Sequence, residues 1–437
     1  MFVSFLQCTL CGKRYAPNAV KYVCPDHGES GVLDVVYDYA EINRHTAPAQ
    51  IAQASDKSIW RYWDLLPLET RDSVPPLPIG WTPLWRAGFL GRSLGLQNLY
   101  FKDDGRNPTA SFKDRASAVV VAKACELGAD IITTASTGNA GAALAGVAAS
   151  ARLPSVIFVP ENAPPAKIAQ LLIYGARVLL VRGSYDQAFE LCLAASKEFG
   201  WYCRSTAYNP YTTEGKKTGA LEICEQLTLI NQGLYSPVTR ASREMLVQQI
   251  EPPDHWEVPD RIFVSVGDGN IISGIWKGLR DLYALGWIDR LPKLMGIQAE
   301  GAAACYNAWR AGTDQITPVH ANTVADSISA DLPRDGVRAV RAVRESGGEY
   351  ITVSDQEILD EIRELARGEG VFVEPAASAA YAGLVKAVRA QKIDPAETIV
   401  VMLTGSGLKD IHSAMRAAGN AQVIQPTLEA VRAAIAN

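Results

Sequence analysis

The sequence is poor in the features that mark secreted, membrane-bound or nucleic-acid-binding proteins. Only eight cysteines occur in 437 residues, and charged residues make up 20%. No stretch approaches the ~18 uncharged apolar residues of a membrane span, and residues 1–13 lack a basic segment and a small-residue cleavage signal. A net charge of -5 argues against a nucleic-acid binder, which would carry a basic surplus. We therefore expect a cytoplasmic globular protein without a membrane or nucleic-acid partner.

Several common catalytic patterns are also missing. The glycine-rich segment at residues 266–274 fits neither the dinucleotide-binding fingerprint nor the phosphate loop of ATPases. The chain has no nucleophile elbow of the Gly-x-Ser-x-Gly type and no His-Glu-x-x-His pair. If the glycine-rich segment at residues 266–274 binds a phosphate, it therefore does so in a loop of another kind.

From about residue 95 onward, short apolar runs alternate with segments of helical periodicity. We predict strands at 130–135, 155–159, 176–181, 261–266, 294–298 and 398–403, and helices beginning at Asn139, near Ala166 and at Tyr185. Such alternation is typical of parallel sheets covered by helices, so the predicted fold class is α/β.

The cysteines fall into two groups. Five are scattered in mostly apolar surroundings, which favours buried free thiols in a reducing compartment. The others form a pattern near the start, in which Cys8 and Cys11 are followed after twelve residues by Cys24 and His27. Paired knuckles with this spacing suit tetrahedral zinc with three thiolates and one imidazole. A ribbon without metal is the alternative.

Lys113 is the most informative single residue. It stands in the run Asn107-Pro-Thr-Ala-Ser-Phe-Lys-Asp-Arg115, among hydroxyls and just before an apolar helical stretch. A lysine in such surroundings can be held as a reactive amine rather than as a solvated surface charge. Taken alone, an ordinary exposed lysine is the better interpretation, so other segments must decide.

Three later segments could bind an anionic, ring-containing ligand. The run from Ser136 to Gly141 leads into a helix, and hydroxyls with free amides at a helix start bind anions. The glycines after residue 266 let successive amides approach a phosphate. A buried strand brings Thr404 and Ser406 to the sheet edge where α/β proteins bind ligands. Each segment alone could be a simple structural turn.

One cofactor needs all these parts together. Pyridoxal 5'-phosphate (PLP) requires a lysine for its aldehyde, a glycine-rich cup for its phosphate, and polar partners for its ring nitrogen and ring oxygen. The four segments therefore predict a PLP enzyme.

With these motifs the chain resembles the threonine synthase family, PLP enzymes related to threonine dehydratase and tryptophan synthase β. The resemblance covers about residues 80–410 and the N-terminal unit. It implies that Lys113 holds PLP and is the main acid/base, that Asn139 contacts the ring oxygen, and that Thr404 lies near the ring nitrogen. The loop implied to bind the phosphate comprises Gly267, Asp268, Gly269, Asn270 and Ile271. Ser136 and Thr137, with Arg115 as a further candidate, are implied to bind the substrate.

The resemblance also implies an architecture. We expect two interlocked open parallel-sheet domains, known as PLP fold type II, with a small zinc-ribbon-like unit at the N-terminus. The predicted division is residues 1–35 for that unit, 36–105 plus 215–437 for a large PLP-binding domain, and 106–214 for a small domain. A homodimer is expected from the family.

The implied activity is that of a carbon–oxygen lyase in threonine biosynthesis, which converts O-phospho-L-homoserine and water to L-threonine and phosphate. One departure keeps alternatives open. Thr212 stands where many threonine synthases carry an arginine that binds the substrate phosphate, and Arg204, Lys216 or Arg115 could compensate. The alternatives are an ammonia-lyase for threonine or serine, a β-replacement enzyme for another activated serine or homoserine derivative, and a PLP-fold binding protein without turnover.

Overall fold

The N-terminal unit is a small antiparallel sheet. The computed structural model describes residues 1–161, 163, 165–235, 253–419 and 421–435. The strands of this first sheet are β1 (Val3–Cys8), β2 (Arg14–Tyr15) and β3 (Leu33–Tyr37). They have the order β2-β1-β3, and β3 extends beyond the predicted boundary at residue 35.

Residues 39–103 lead from this unit into the main body of the protein. Asp38 caps the first helix by accepting a hydrogen bond from the Glu41 amide at 3.0 Å, a common helix-start device. The segment contains α1 (Tyr39–His45), α2 (Pro48–Gln53), β4 (Leu84–Arg86), α3 (Gly88–Ser93) and β5 (Asn98–Asp103).

The chain then builds a four-stranded sheet. Its elements are α4 (Lys113–Glu126), β6 (Ile132–Ala135), α5 (Asn139–Ser150), β7 (Ser155–Pro160), α6 (Pro165–Ile173), β8 (Arg177–Val181), α7 (Tyr185–Glu198) and β9 (Tyr202–Cys203). The strand order is β8-β7-β6-β9, and all strand pairs are parallel. β6 and β7 are buried at every position, which is expected of strands covered on both faces.

The rest of the chain completes a six-stranded sheet. Its elements are α8 (Tyr211–Asn231), β10 (Arg261–Ser265), α9 (Asn270–Ala284), β11 (Lys293–Ala299), α10 (Ala304–Arg310), α11 (Gly336–Glu345), β12 (Glu349–Val353), α12 (Asp355–Glu369), α13 (Pro375–Arg389), β13 (Thr398–Leu403), α14 (Ile411–Ala418) and α15 (Leu428–Ile435). The sheet has the order β12-β11-β10-β13-β5-β4 and is parallel except for β4. The long helix α8 is almost fully buried and packs on α4 and α9.

The α/β prediction is confirmed, and the two larger sheets are interlocked in the chain. β4 and β5 belong to the six-stranded sheet, the next four strands form the other sheet, and the chain then returns to the first. Each larger unit of the division predicted above contains one of these sheets, and we retain that division as a proposal. In the part of the chain that the structure describes, no helix has the length and apolarity to span a bilayer.

Candidate active site

A cavity of about 380 Å³ lies between the two larger sheets. That volume falls in the range of small-molecule sites. Every residue that the sequence predicts for the cofactor lines it, namely Lys113, Asn139, Gly267, Asp268, Gly269, Asn270, Ile271 and Thr404. Ser136 and Thr137, predicted for the substrate, line it as well.

Lys113 begins α4, and the residues before it are fixed to the end of β13. The Phe112 amide donates to the Thr404 carbonyl at 2.9 Å, and Ser111 forms an isolated bridge with Gly405. Within the described ranges, no residue hydrogen-bonds to the Lys113 amine. Burial lowers the pKa of this amine, so a larger fraction of it is neutral than for an exposed lysine. The geometry thus places the Lys113 amine in the same cavity that Thr404 lines.

Asn139 begins α5 and faces a carboxylate. Its side-chain amide donates to both carboxylate oxygens of Glu374, at 2.8 and 3.0 Å, and to the Ser327 hydroxyl at 3.2 Å. Burial raises the pKa of Glu374, against the opposing effect of the Asn139 hydrogen bond. This wall of the cavity therefore combines an amide with a carboxyl group whose charged form is disfavoured by burial.

The loop between β10 and α9 has the backbone of an anion cradle. Gly269 has φ of 90°, and a Cβ atom there would lie 2.8 Å from the Asp335 carbonyl oxygen. At Gly267 a Cβ atom would lie 2.7 Å from the Ile328 Cα atom. Both positions therefore require glycine, and the loop leads directly to the N-terminus of a fifteen-residue helix.

Two buried basic side chains, Lys216 and Arg204, also line the cavity. The Lys216 ammonium donates to the Asn270 side-chain oxygen at 2.5 Å, and the Arg204 guanidinium donates to the Thr206 hydroxyl at 2.9 Å. The Nη2 atom of Arg204 is buried without a hydrogen-bond partner among the described residues. Burial lowers the pKa of Arg204 to about 10 and that of Lys216 well below its ordinary value. Buried cations with so few partners favour an anionic ligand.

Arg115 lies elsewhere and does not line the cavity. Its guanidinium pairs with Asp104 at 2.6 Å and with both oxygens of Glu222 at 2.6 and 2.7 Å, all fully buried. An α-helix turns by about 100° per residue, so a side chain two positions after Lys113 points to the far side of α4. The structure therefore assigns Arg115 to the protein interior rather than to substrate contact.

Thr212 is also buried away from the cavity. Its hydroxyl donates to the carbonyl of Asn209, a residue just before α8 begins, at 2.8 Å. No cation occupies this position, so any contact with a substrate phosphate has to come from elsewhere in the cavity.

The N-terminal unit brings its predicted metal ligands together. The ligand atoms of Cys8, Cys11, Cys24 and His27 all lie within 4.8 Å of one another. The knuckles are closed by backbone hydrogen bonds from Gly12 to Cys8 at 2.9 Å and from His27 to Cys24 at 3.1 Å. Three thiols and one imidazole at this separation fit a tetrahedral zinc ion, and zinc binding there remains our proposal.

Glu374 and Tyr185 are among the cavity residues that the sequence does not reveal. Glu374 precedes Pro375 at the start of α13, and an acidic residue followed by proline indicates only a helix start. Tyr185 begins α7, and its position in the sequence likewise indicates only a helix start. Neither residue stands in a motif of its own, because segments far away in the chain bring it to the cavity.

Comparison with known proteins agrees with this geometry. The model of the pyridoxal-phosphate dependent enzyme family matches residues 76–405. The chain belongs to this family. Among curated relatives, the threonine synthase of Methanocaldococcus jannaschii is 37% identical over 94% of both chains, and that of Methanosarcina acetivorans is 38% identical over 98% of both.

Solved structures share the fold at lower identity. Threonine deaminase isoform 2 from Solanum lycopersicum aligns with a TM-score of 0.62 at 21% identity, covering 77% of this chain and 83% of that one. Diaminopropionate ammonia lyase from Escherichia coli aligns with a TM-score of 0.63 at 16% identity, covering 86% of this chain and 94% of that one. These likenesses establish the fold, and the residues of the cavity fit the family's PLP cofactor.

Proposed function

We propose that the protein is a threonine synthase, a PLP-dependent lyase that converts O-phospho-L-homoserine and water to L-threonine and phosphate. The observation that carries the proposal is the position of the Lys113 amine. It lines a cavity that also contains two anion-binding elements, residues 136–139 at the start of α5 and the glycine-rich loop of residues 267–271. The curated threonine synthases named above, similar over almost the whole chain, support this choice of activity.

The cofactor residues divide by the part of PLP that they suit. Lys113 would hold the aldehyde, Asn139 the ring oxygen, and Thr404 the region of the ring nitrogen, where a neutral hydroxyl leaves that nitrogen unprotonated. Residues 267–271 would hold the phosphate. The Lys216 ammonium would assist them, because it is hydrogen-bonded to the Asn270 side chain at the start of α9. When bound, PLP supplies stabilisation of negative charge at carbon atoms beside the substrate's amino group.

The substrate residues lie at the carboxyl edge of the four-stranded sheet. Ser136 and Thr137 follow β6 and would hold the substrate carboxylate at the N-terminus of α5. Arg204 follows the neighbouring strand β9, and its backbone amide donates to the Thr133 carbonyl at 2.8 Å. Its partly unpaired guanidinium is our candidate for the leaving phosphate, in place of Arg115.

Proton transfer would fall to Lys113. Its position beside the cavity allows the amine to take a proton from the substrate α carbon and to return one. The low pKa that burial gives this amine favours the neutral form that such a base requires. We further propose that the protein is cytoplasmic and works as a homodimer, as expected for the family.

Product analysis tests the activity. The purified holoenzyme is offered O-phospho-L-homoserine, L-threonine, L-serine and O-phospho-L-serine in parallel, and phosphate, ammonia and amino acids are quantified. Phosphate released in equal amount with threonine, from the first substrate only, supports the proposal.

Two other outcomes would point away from it. The buried Thr212 favours a β-replacement enzyme or an ammonia-lyase as the competing function, because it offers no cation to a substrate phosphate. Ammonia and 2-oxobutanoate from threonine alone would establish the lyase. Bound PLP without turnover of any compound would indicate a binding protein.

A further inference from the structure

The N-terminal unit contacts the body of the enzyme through β3, close to the cavity. The Asp34 carboxylate forms an ion pair with Arg338 on α11, and the Tyr37 hydroxyl donates to Glu214 on α8 at 2.6 Å. α8 is the helix that carries Lys216. One short strand therefore reaches two of the helices that surround the phosphate-binding side of the cavity.

Arg338 also contacts Asp335 and Thr213, and both of these contact Asn270 in the glycine-rich loop of residues 267–271, called the glycine loop below. Its guanidinium donates to both oxygens of Asp335, at 2.6 and 2.8 Å, and to the Thr213 hydroxyl at 2.8 Å. These groups are all buried. A planar guanidinium held by two carboxylates and a hydroxyl has little freedom to rotate.

Asp335 in turn fixes the loop itself. Its carboxylate accepts a hydrogen bond from the Asn270 amide at 2.7 Å, and its backbone amide donates to the Asp268 carbonyl at 2.8 Å. Its carbonyl packs against Gly269, where a Cβ atom would collide with it. The side chain and the backbone of one residue thus hold three consecutive positions of the loop.

The last contacts of this hydrogen-bond network, those of Asn270, line the cavity. The Asn270 amide also donates to Thr213 at 3.0 Å, and its side-chain oxygen accepts the hydrogen bond from Lys216. The orientation of the Asn270 amide, and with it the position of the ammonium, is therefore set by Asp335 and its partner Arg338. Buried polar networks of this kind lose order when one member is removed.

We propose that Asp34 is a positioning residue for cofactor binding. Through Arg338, Asp335 and Asn270 it holds the glycine loop and Lys216 in the arrangement that binds the cofactor phosphate. The N-terminal unit is then part of the active-site scaffold and not a separate appendage. The inference rests on the PLP cofactor and does not depend on the identity of the substrate.

Asp34→Asn tests this, because it removes one charge with almost no change in size. The matched control is Arg341→Gln on the same helix, since Arg341 also joins the N-terminal unit by donating to the Thr9 carbonyl at 2.6 Å but has no contact with the loop. Asp34→Glu serves as the conservative rescue. Each holoenzyme is dialysed, and the PLP dissociation constant, the thermal midpoint and the bound metal are measured.

The expected result is a PLP dissociation constant raised roughly three- to ten-fold in Asp34→Asn, within the coupling typical of such networks. In Arg341→Gln it should stay within about two-fold of the parent value. Asp34→Glu should recover most of the loss, and metal content should be unchanged throughout. If Asp34→Asn fails to fold, Arg338→Lys replaces it, since a lysine retains the charge but cannot bridge both carboxylates. Equal PLP binding in the parent and the network variants would overturn the proposal, as would equal weakening in the control.

Discussion

The Asn139 side-chain amide lies against both carboxylate oxygens of Glu374, at 2.8 and 3.0 Å. The two residues are 235 positions apart, and they meet because the start of α5 lies beside the start of α13 on one wall of the cavity. Glu374 is thus the carboxylate that orients the amide predicted to contact the cofactor ring.

We expect Glu374→Gln to lower kcat about 100-fold, the scale of a lost acid–base or orienting group, while PLP stays bound. Burial raises the pKa of Glu374, so its carboxylate form accumulates only as the pH rises through that elevated value. The parent enzyme should therefore lose activity on acidification, and the variant should lack this acidic limb. The measurement is a pH profile of kcat with Glu374→Asp as the conservative control; an unaltered profile in Glu374→Gln would contradict the assignment.

Arg115→Gln should destabilise the fold rather than weaken substrate binding. Its guanidinium is buried between Asp104 and Glu222, and removing one member of a buried ion-pair network typically costs about 3–5 kcal/mol of unfolding free energy. Denaturant unfolding of the parent and the variant measures that loss. KM at a temperature where both are folded should remain within about two-fold. A raised KM with unchanged stability would contradict this assignment and would indicate that Arg115 contacts the substrate.

The N-terminal unit should bind one zinc ion per chain. Metal analysis by mass spectrometry should give about one equivalent, and Cys11→Ser should lower both the zinc content and the thermal midpoint, because metal binding contributes directly to folding. Cys125→Ser, which alters a thiol outside the cluster, is the matched control and should keep its zinc. Less than about a tenth of an equivalent in the parent protein would show that the knuckles fold without metal.

Local signals predicted much of this molecule. The starts of α5 and α7 and the bounds of β13 agree with the pattern of the sequence, because capping residues and apolar runs act over a few positions. The residues proposed for the cofactor could be predicted for the same reason, since each sits in its own short motif. Arg115 lies only two positions after Lys113, but the turn of the helix points its side chain away from the cavity, which the sequence alone does not show.

Other features depend on contacts between distant segments. Glu374 meets Asn139 only when the starts of α13 and α5 come together, and the link from Asp34 to Arg338 spans 304 positions. No periodicity or motif encodes such pairings, and they become visible only in the folded chain. The residues that hold the site in place were therefore harder to predict than the residues that form it.

The most direct test of the assignment of Lys113 is chemical. Borohydride reduction of the holoenzyme fixes PLP to the amine that carries it, and peptide mass spectrometry then locates the modified lysine. We predict one reduced cofactor per chain, on the peptide that contains Lys113. An unmodified Lys113, or a cofactor attached to Lys216 instead, would contradict the structure of the site described above.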